Sequence, residues 1–172
     1  MSTSDRSDTP PVVRLADLKL DLQQAGSVFE ALTAPVSAPR GAERLGCRLV
    51  VVPPGKRAWP FHNHHANDEL FVVLSGRGKL RFGEALHAIE AGDVAVCPAG
   101  GRSTAHQIIN DSDAELRYLA VSTMLAPDVM EYPDSGKVGV FAGAAPGGDK
   151  ARRTLAMFVP AAAAVDYWDG EG

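Results

Sequence analysis

The residues with the clearest capacity for chemistry lie in one short stretch, Gly55–Gly76. In it His62 and His64 are two residues apart, and Glu69 follows five residues after His64. Successive side chains of an extended strand alternate between its faces, so the two histidines point to the same side and can share one ion. His106 comes 42 residues after His64 and must reach them by folding.

Together, His62, His64, Glu69 and His106 form a candidate site for one divalent metal ion. Imidazole and carboxylate ligands suit first-row metals such as Mn, Fe, Co, Ni, Cu and Zn. Four protein ligands leave one or two positions open to water, substrate or oxygen. His65 is an alternative to His64, because a β-bulge would turn His65 inward instead.

The composition limits the class of protein. The chain has 172 residues and a formal charge of −4, which fits one domain with a hydrophobic core and scattered rather than clustered basic residues. We expect neither nucleic acid nor membrane as a partner, since no apolar run approaches the roughly 18 residues of a membrane span. The N-terminus lacks a secretory signal pattern, which predicts a cytoplasmic protein with Cys47 and Cys97 as free thiols.

Short strands at roughly ten-residue spacing, separated by Gly, Pro and Asp, predict an all-β sandwich or barrel. Glu69–Phe82 has the pattern of a β-hairpin, and the alternation in 12–22 favours another strand. Residues 26–40 suggest a loop with a short helical turn, and 127–131 a turn of helix. A late strand is expected at 155–159.

These patterns divide the chain into four parts. Residues 1–11 are expected to be a disordered tail, and residues 12–44 an N-terminal arm. Residues 45–123 form the predicted barrel core, and residues 124–172 a C-terminal extension that packs on the barrel.

Two glycine-anchored motifs resemble the two motifs of the cupin superfamily, and the resemblance covers about residues 45–122. The first consists of Gly55, His62, His64, Glu69 and Gly76. The second consists of Gly92, Pro98, Gly100, His106 and Asn110. Six residues rather than five separate Gly55 from His62, and five rather than two separate Gly100 from His106.

The chain is similar to single-domain bacterial cupins, and this implies a small jelly-roll β-barrel (a double-stranded β-helix) with a metal inside one end. The resemblance also implies that Ala95 and Cys97 face the barrel interior. A cysteine in that place is alternatively a small buried hydrophobe. The fold does not determine a reaction, because it hosts many.

Other pocket residues follow from strand alternation. Phe71 and Val73 share the face of Glu69 and should line the cavity. Arg117 and Tyr118 are neighbours on the last clear strand, so one of them faces inward as a candidate catalytic residue. The turn at 132–137 and the aromatic pair at 167–168 are candidate lids.

The function that these features favour is an enzyme acting on a small oxygen-rich metabolite, with the metal as a Lewis acid. Isomerase or epimerase, decarboxylase and lyase chemistry all fit, for example on a sugar or sugar phosphate. A metal-dependent dioxygenase and a non-catalytic small-molecule-binding protein are the alternatives. We expect a homodimer, because small cupins are often dimers and the apolar edge at 18–22 suits strand exchange.

Overall fold

The computed structural model of the protein describes residues 9–172, so residues 1–8 of the predicted disordered tail lie outside the described residues. The described chain folds almost entirely as β-strands. The strands are β1 (Asp21–Ala25), β2 (Phe29–Pro35), β3 (Leu45–Val52), β4 (Asn63–His64), β5 (Glu69–Ser75), β6 (Arg77–Phe82), β7 (Ala85–Glu90), β8 (Val94–Cys97), β9 (His106–Ile109), β10 (Leu116–Thr123), β11 (Asp128–Tyr132), β12 (Lys137–Ala142) and β13 (Leu155–Pro160). Short 3₁₀ helices occur at Leu15–Asp17, Ala38–Arg40, Arg102–Thr104, Lys150–Arg152 and Ala161–Ala163.

The strands form two antiparallel layers. One layer is a six-stranded sheet in the order β1-β2-β3-β10-β5-β8. The other contains the three-stranded sheet β7-β6-β9 and the four-stranded sheet β13-β12-β11-β4. An antiparallel bridge between His62 and His106 joins these two sheets. The described residues thus form the all-β barrel that the strand spacing predicts.

The core lies between the two layers and centres on β10, which pairs with β3 on one side and β5 on the other. Val50 and Val52 of β3, Phe71 and Val73 of β5, and Tyr118 of β10 all belong to one buried cluster. Burial of these large apolar side chains is the main favourable contribution to folding. No helix among residues 9–172 is long and apolar enough to span a membrane.

The predicted hairpin over Glu69–Phe82 is wrong. β5 pairs with β10 and β8, whereas β6 pairs with β7 and β9 in the other layer. Gly76 lies between them with φ of +82°, and a Cβ there would collide with the backbone carbonyl of Glu115. Glycine therefore permits the bend that carries the chain from one layer to the other.

The N-terminal arm contains more strand than the sequence predicts. Residues 29–35, predicted as loop, form β2, which pairs with both β1 and β3 and extends the six-stranded sheet. The short helical turn is present at Ala38–Arg40. In the 12–22 stretch, Leu15–Asp17 is a 3₁₀ helix and the strand begins only at Asp21. Pairing with the strands on both sides, β1 and β3, outweighs the local turn signals.

The C-terminal segment continues the second layer. The helical turn predicted at 127–131 is instead strand over most of its length: β11 spans Asp128–Tyr132 and pairs with β4 through Met130 opposite His64. β12 and β13 follow in antiparallel order, and β13 matches the predicted late strand. This pairing places β11 directly beside the strand that carries the histidine motif.

Candidate metal centre

The structure brings the side chains of the four predicted ligands together. Nε2 of His106 lies 2.7 Å from Oε2 of Glu69, and Nε2 of His62 and of His64 lie 3.9 and 3.8 Å from the same oxygen. The ligand-type atoms of His62, His64 and Glu69 are all within 4.8 Å of one another. Three imidazoles therefore face one carboxylate oxygen from three directions.

Each of these imidazoles is oriented by an acceptor at its other nitrogen. Nδ1–H of His62 donates to the carbonyl of Pro60 at 2.7 Å, and Nδ1–H of His106 donates to that of Thr104 at 3.1 Å. Nδ1 of His64 is 2.6 Å from Oδ2 of Asp128. A neutral imidazole with its proton on Nδ1 presents a lone pair on Nε2, the form that binds a metal. The donor set and its tautomers thus fit a divalent first-row metal.

Asp128 is the main residue that the sequence analysis missed. It is 1% exposed, and its second oxygen, Oδ1, accepts the backbone N–H of Ala66 at 3.0 Å. Asp128 belongs to β11, 64 residues from His64, in a segment predicted to be a helical turn. Only a prediction of the β4–β11 pairing could have placed this carboxylate beside the histidine.

The structure also distinguishes His64 from its neighbour. His64 is 6% exposed and faces Glu69, whereas the side chain of His65 is 44% exposed and lies 2.8 Å from Glu131. Glu131 in turn accepts from Nε of Arg102 at 2.8 Å. β4 therefore follows the regular alternation, and His65 belongs to a surface ion-pair cluster.

Burial and the charges of neighbouring side chains shift the pKa values of the candidate ligands in opposite directions. Burial lowers the pKa of His62 to about 4, although Glu69 acts to raise it. Burial would raise the pKa of Glu69, but the hydrogen bond from His106 and the nearby histidines lower it to about 2. Burial acts to lower the pKa of His106, yet hydrogen bonds with Cys97 and Glu69 raise it to about 10. In the metal-free site these shifts favour a proton on His106 beside an ionised Glu69, and a metal bound at Nε2 of His106 would displace that proton.

A cavity of about 1030 Å³ opens from the four residues towards the segments around residues 41–48 and 143–153. Its lining residues include Phe71, which alternation places on the face of Glu69, and Tyr118, one of the two catalytic candidates. Val73, Ala95 and Cys97 are in the buried core cluster and are not part of this lining. The inward-facing residues of a strand thus line the cavity at some positions and pack in the core at others. Alternation in the sequence does not distinguish these two environments.

The two catalytic candidates on β10 have different surroundings. Tyr118 is fully buried, and its hydroxyl has no hydrogen-bond partner among the described residues. Arg117 is partly exposed, lies 3.7 Å from Glu115 and is outside the cavity lining. Of the pair, Tyr118 is the residue that faces inward.

The two candidate lids also differ. The Tyr132 ring is stacked against His62 at 6.0 Å between ring centroids and is 8% exposed, so it closes one side of the site. Tyr167 and Trp168 are 82% and 73% exposed and contact each other at 4.8 Å. They are not among the cavity-lining residues.

Comparison with known proteins supports the same architecture. Residues 48–122 match the family model of the cupin domain. No curated protein matches the chain. The similar solved structures include a candidate sugar phosphate isomerase from Acidithiobacillus ferrooxidans, which is 23% identical with a TM-score of 0.76 and covers 91% of this chain and 96% of its own.

Two further solved structures are similar. One is a sugar phosphate isomerase of the cupin superfamily from Silicibacter pomeroyi, at 22% identity and a TM-score of 0.71, covering 92% of this chain and 98% of its own. Another, from Thermotoga maritima, is described as a predicted oxalate decarboxylase, at 25% identity and a TM-score of 0.55, covering 66% and 99%. These likenesses confirm the predicted cupin-type jelly-roll fold.

Proposed function

We propose that this chain, whose residues 48–122 form a cupin domain, is a metal-dependent enzyme acting on a small oxygen-rich metabolite. The observation that carries the proposal is the convergence of three oriented imidazoles on Glu69 in the lining of a cavity of about 1030 Å³. Among the reaction classes that fit, isomerisation or epimerisation is preferred, because two similar structures are described as sugar phosphate isomerases.

His62, His64, Glu69 and His106 would hold one divalent ion of the first-row series. Such an ion supplies Lewis-acid stabilisation of negative charge on a substrate oxygen. The chain's own groups orient the three imidazoles with Nε2 towards the metal position, since Pro60, Thr104 and Asp128 accept the protons of the three Nδ1 atoms. Burial of these groups limits water and strengthens each electrostatic interaction in the site.

The hydroxyl of Tyr118, in the cavity wall, stays in its uncharged form. Burial and the negative charge of Glu69 raise the pKa of Tyr118, while Arg48 acts to lower it. Tyr118 therefore stays protonated at neutral pH and serves as a hydrogen-bond donor to a substrate oxygen rather than as a base. A carbonyl, hydroxyl or carboxylate oxygen is a suitable partner.

The test is metal analysis of the purified protein and of the His106→Ala variant. We expect about one first-row metal ion per chain in the wild type and a substantial loss in the variant, since His106 contacts Glu69 directly. The matched control is His87→Ala, an exposed histidine outside the cavity lining. Equal metal content in wild type and His106→Ala would rule out the proposed ligand set.

A metal-containing binding protein without turnover is the second candidate. It is favoured by the scarcity of acid–base groups in the lining, where the acidic residues besides Glu69 are Glu43 and Asp149. Glu43 lies 3.8 Å from Arg152, and Asp149 accepts the backbone N–H of Ala151. A thermal-shift screen of sugars, sugar phosphates and sugar acids, followed by product analysis of each stabilising compound, separates the two: conversion supports the enzyme, and unchanged ligand supports the binder.

A further inference from the structure

Arg48 breaks the pattern of its strand. In β3 the alternate residues Val50 and Val52 belong to the buried core cluster, and Arg48 occupies the next position of the same row. It lines the cavity and is half-buried. A charged residue in an inward-facing row costs stability unless it has a partner, so its presence needs a functional reason.

Few of the hydrogen-bond donors of the Arg48 guanidinium have a partner among the described residues. One Nη2–H donates to the carbonyl of Gly147 at a long 3.4 Å, and Cζ lies 5.7 Å from the ring centre of Trp59. Arg48 has no ion pair with any residue between 9 and 172. Arginine has five N–H donors in a planar fork that matches a carboxylate or phosphate, so most of its donors are available to a ligand.

Tyr118 supplies a second unused donor close by. Its hydroxyl is buried without a partner, on a residue that lines the cavity next to Phe71. Arg48 is near enough to Tyr118 that its charge acts to lower the pKa of this hydroxyl, although burial and Glu69 outweigh it. Val50, the residue opposite Tyr118 in the sheet, is two positions from Arg48 along β3. A neutral donor and a cationic donor therefore face the same part of the cavity.

The sheet register relates this pair to the metal centre. Arg48, Ala120 and Phe71 stand opposite one another on β3, β10 and β5, so they share one face of the sheet. Two strand spacings, roughly 10 Å, separate the backbones of Arg48 and Phe71. The Phe71 ring contacts His106 at 5.7 Å between centroids. A small linear molecule could thus reach both the metal ligands and Arg48.

The surrounding charge favours an anion there. Arg153 also lines the cavity and donates to Ala145, two residues from the loop position that Arg48 contacts. Nε of Arg153 is buried without a partner. The carboxylates at this end, Glu43 and Asp149, interact with Arg152 and with the backbone of residue 151.

We propose that Arg48 and Tyr118 form a subsite for an anionic group, a carboxylate or a phosphate monoester, of the molecule whose oxygen atoms reach the metal centre. The inference rests on the proposed function only in assigning both ends to one molecule. It narrows the substrate class to sugar acids and sugar phosphates, and excludes neutral sugars as preferred ligands. Arg153 contributes positive potential at the mouth.

Calorimetric titration of the full-length protein with D-glucose 6-phosphate, D-gluconate and neutral D-glucose tests the subsite. We expect at least one anionic probe to bind about tenfold or more tightly than glucose, the range of a hydrogen-bonded charge. Arg48→Gln should abolish the preference, Arg48→Lys should keep part of it, and Tyr118→Phe should weaken it severalfold. Arg77→Gln, at an exposed arginine outside the cavity lining, is the matched control and should behave as wild type. The probe that binds better distinguishes phosphate from carboxylate recognition.

Inorganic phosphate titrated into chelator-treated protein separates this proposal from the metal assignment. Loss of metal in His62→Ala with retained phosphate binding is expected, because the subsite is a separate part of the cavity. The proposal is overturned if no anionic probe binds better than glucose, or if Arg48→Gln keeps the wild-type preference. Circular dichroism monitors folding, and Arg48→Lys with Tyr118→Phe carries the test if Arg48→Gln does not fold.

Discussion

Replacing Asp128 by Asn tests whether a carboxylate from β11 controls the metal-binding form of His64. The two oxygens of Asp128 accept from two donors, Nδ1–H of His64 at 2.6 Å and the backbone N–H of Ala66 at 3.0 Å. An asparagine of the same shape has one acceptor and one NH₂ donor, so in either orientation a donor faces a donor. If the amide NH₂ faces His64, the imidazole must accept at Nδ1 and carry its proton on Nε2, where it can no longer bind a metal.

The expected losses of metal affinity and stability in Asp128→Asn follow from the hydrogen bonds that the carboxylate makes. A buried hydrogen bond to a charged group contributes about 1.5–3 kcal/mol, and loss of a carboxylate that orients a ligand histidine weakens metal binding by about 10- to 100-fold. We expect Asp128→Asn to lower metal affinity within that range, measured by competition with a chelator of known affinity. The free energy of unfolding of chelator-treated protein, from urea denaturation, should fall by about 1–3 kcal/mol.

Glu131→Gln is a matched control on the same strand. Glu131 also contacts a histidine, His65 at 2.8 Å, but that pair is exposed and points away from the cavity. An exposed pair contributes about 0–1 kcal/mol, so metal affinity should remain that of the wild type. The reasoning is refuted if Asp128→Asn binds metal within twofold of wild type, or if both variants lose affinity equally.

Four further predictions concern protonation of the site, metal affinity, Tyr118 and the bend at Gly76. In chelator-treated protein, the pKa of His106 rises from 6.5 in the unfolded chain to about 10 in the folded state. Protonated His106 therefore stabilises the folded state below pH 6.5, and this stabilisation is lost as the pH rises towards 10. The pKa of His62 falls from 6.5 in the unfolded chain to about 4 in the folded state, so the folded state loses stability as the pH falls from 6.5 to 4. Urea denaturation at different pH values should therefore show a stability maximum near pH 6.5. Apparent metal affinity should rise by up to about tenfold per pH unit in the alkaline range, because binding displaces the His106 proton; a pH-independent affinity would contradict this. Tyr118→Phe should leave the ligand-free protein as stable as wild type or about 1 kcal/mol more stable by thermal unfolding, since its buried hydroxyl has no partner to lose, and a loss above 1 kcal/mol would reveal a hidden partner. Gly76→Ala should destabilise by at least about 1 kcal/mol in urea denaturation, given the positive φ and the collision with Glu115, whereas Gly136→Ala, with positive φ but open space, should cost less.

The sequence predicts the parts of the site that depend on local alternation. His62 and His64 fall on one face because β4 and the bridge before it are extended, and the motif spacing adds Glu69 and His106. The barrel class follows from strand spacing. Asp128 could not be found in this way, because its position depends on a pairing between β4 and β11 that no local pattern encodes.

Strand pairing also explains the other differences between the sequence predictions and the structure. The Glu69–Phe82 segment has the composition of a hairpin, yet the bend at Gly76 sends its two strands into different layers. Arg48 was detectable in principle, since a charge interrupts the inward row that continues with Val50 and Val52. Such an interruption is informative only once the inward face is known, and in β3 both faces carry buried residues.

The ligands and the groups that control them come from different parts of the chain. The segment that matches the cupin family, residues 48–122, holds all four candidate ligands. The carboxylate that orients His64 and the ring stacked on His62 come from β11, which follows that segment. The loop above Arg48 also belongs to the C-terminal part. In the proposed metal enzyme, ligand tautomer would control metal affinity and the cavity mouth would control substrate choice, so we expect residues 124–172 to contribute to the site as well as to cover the barrel.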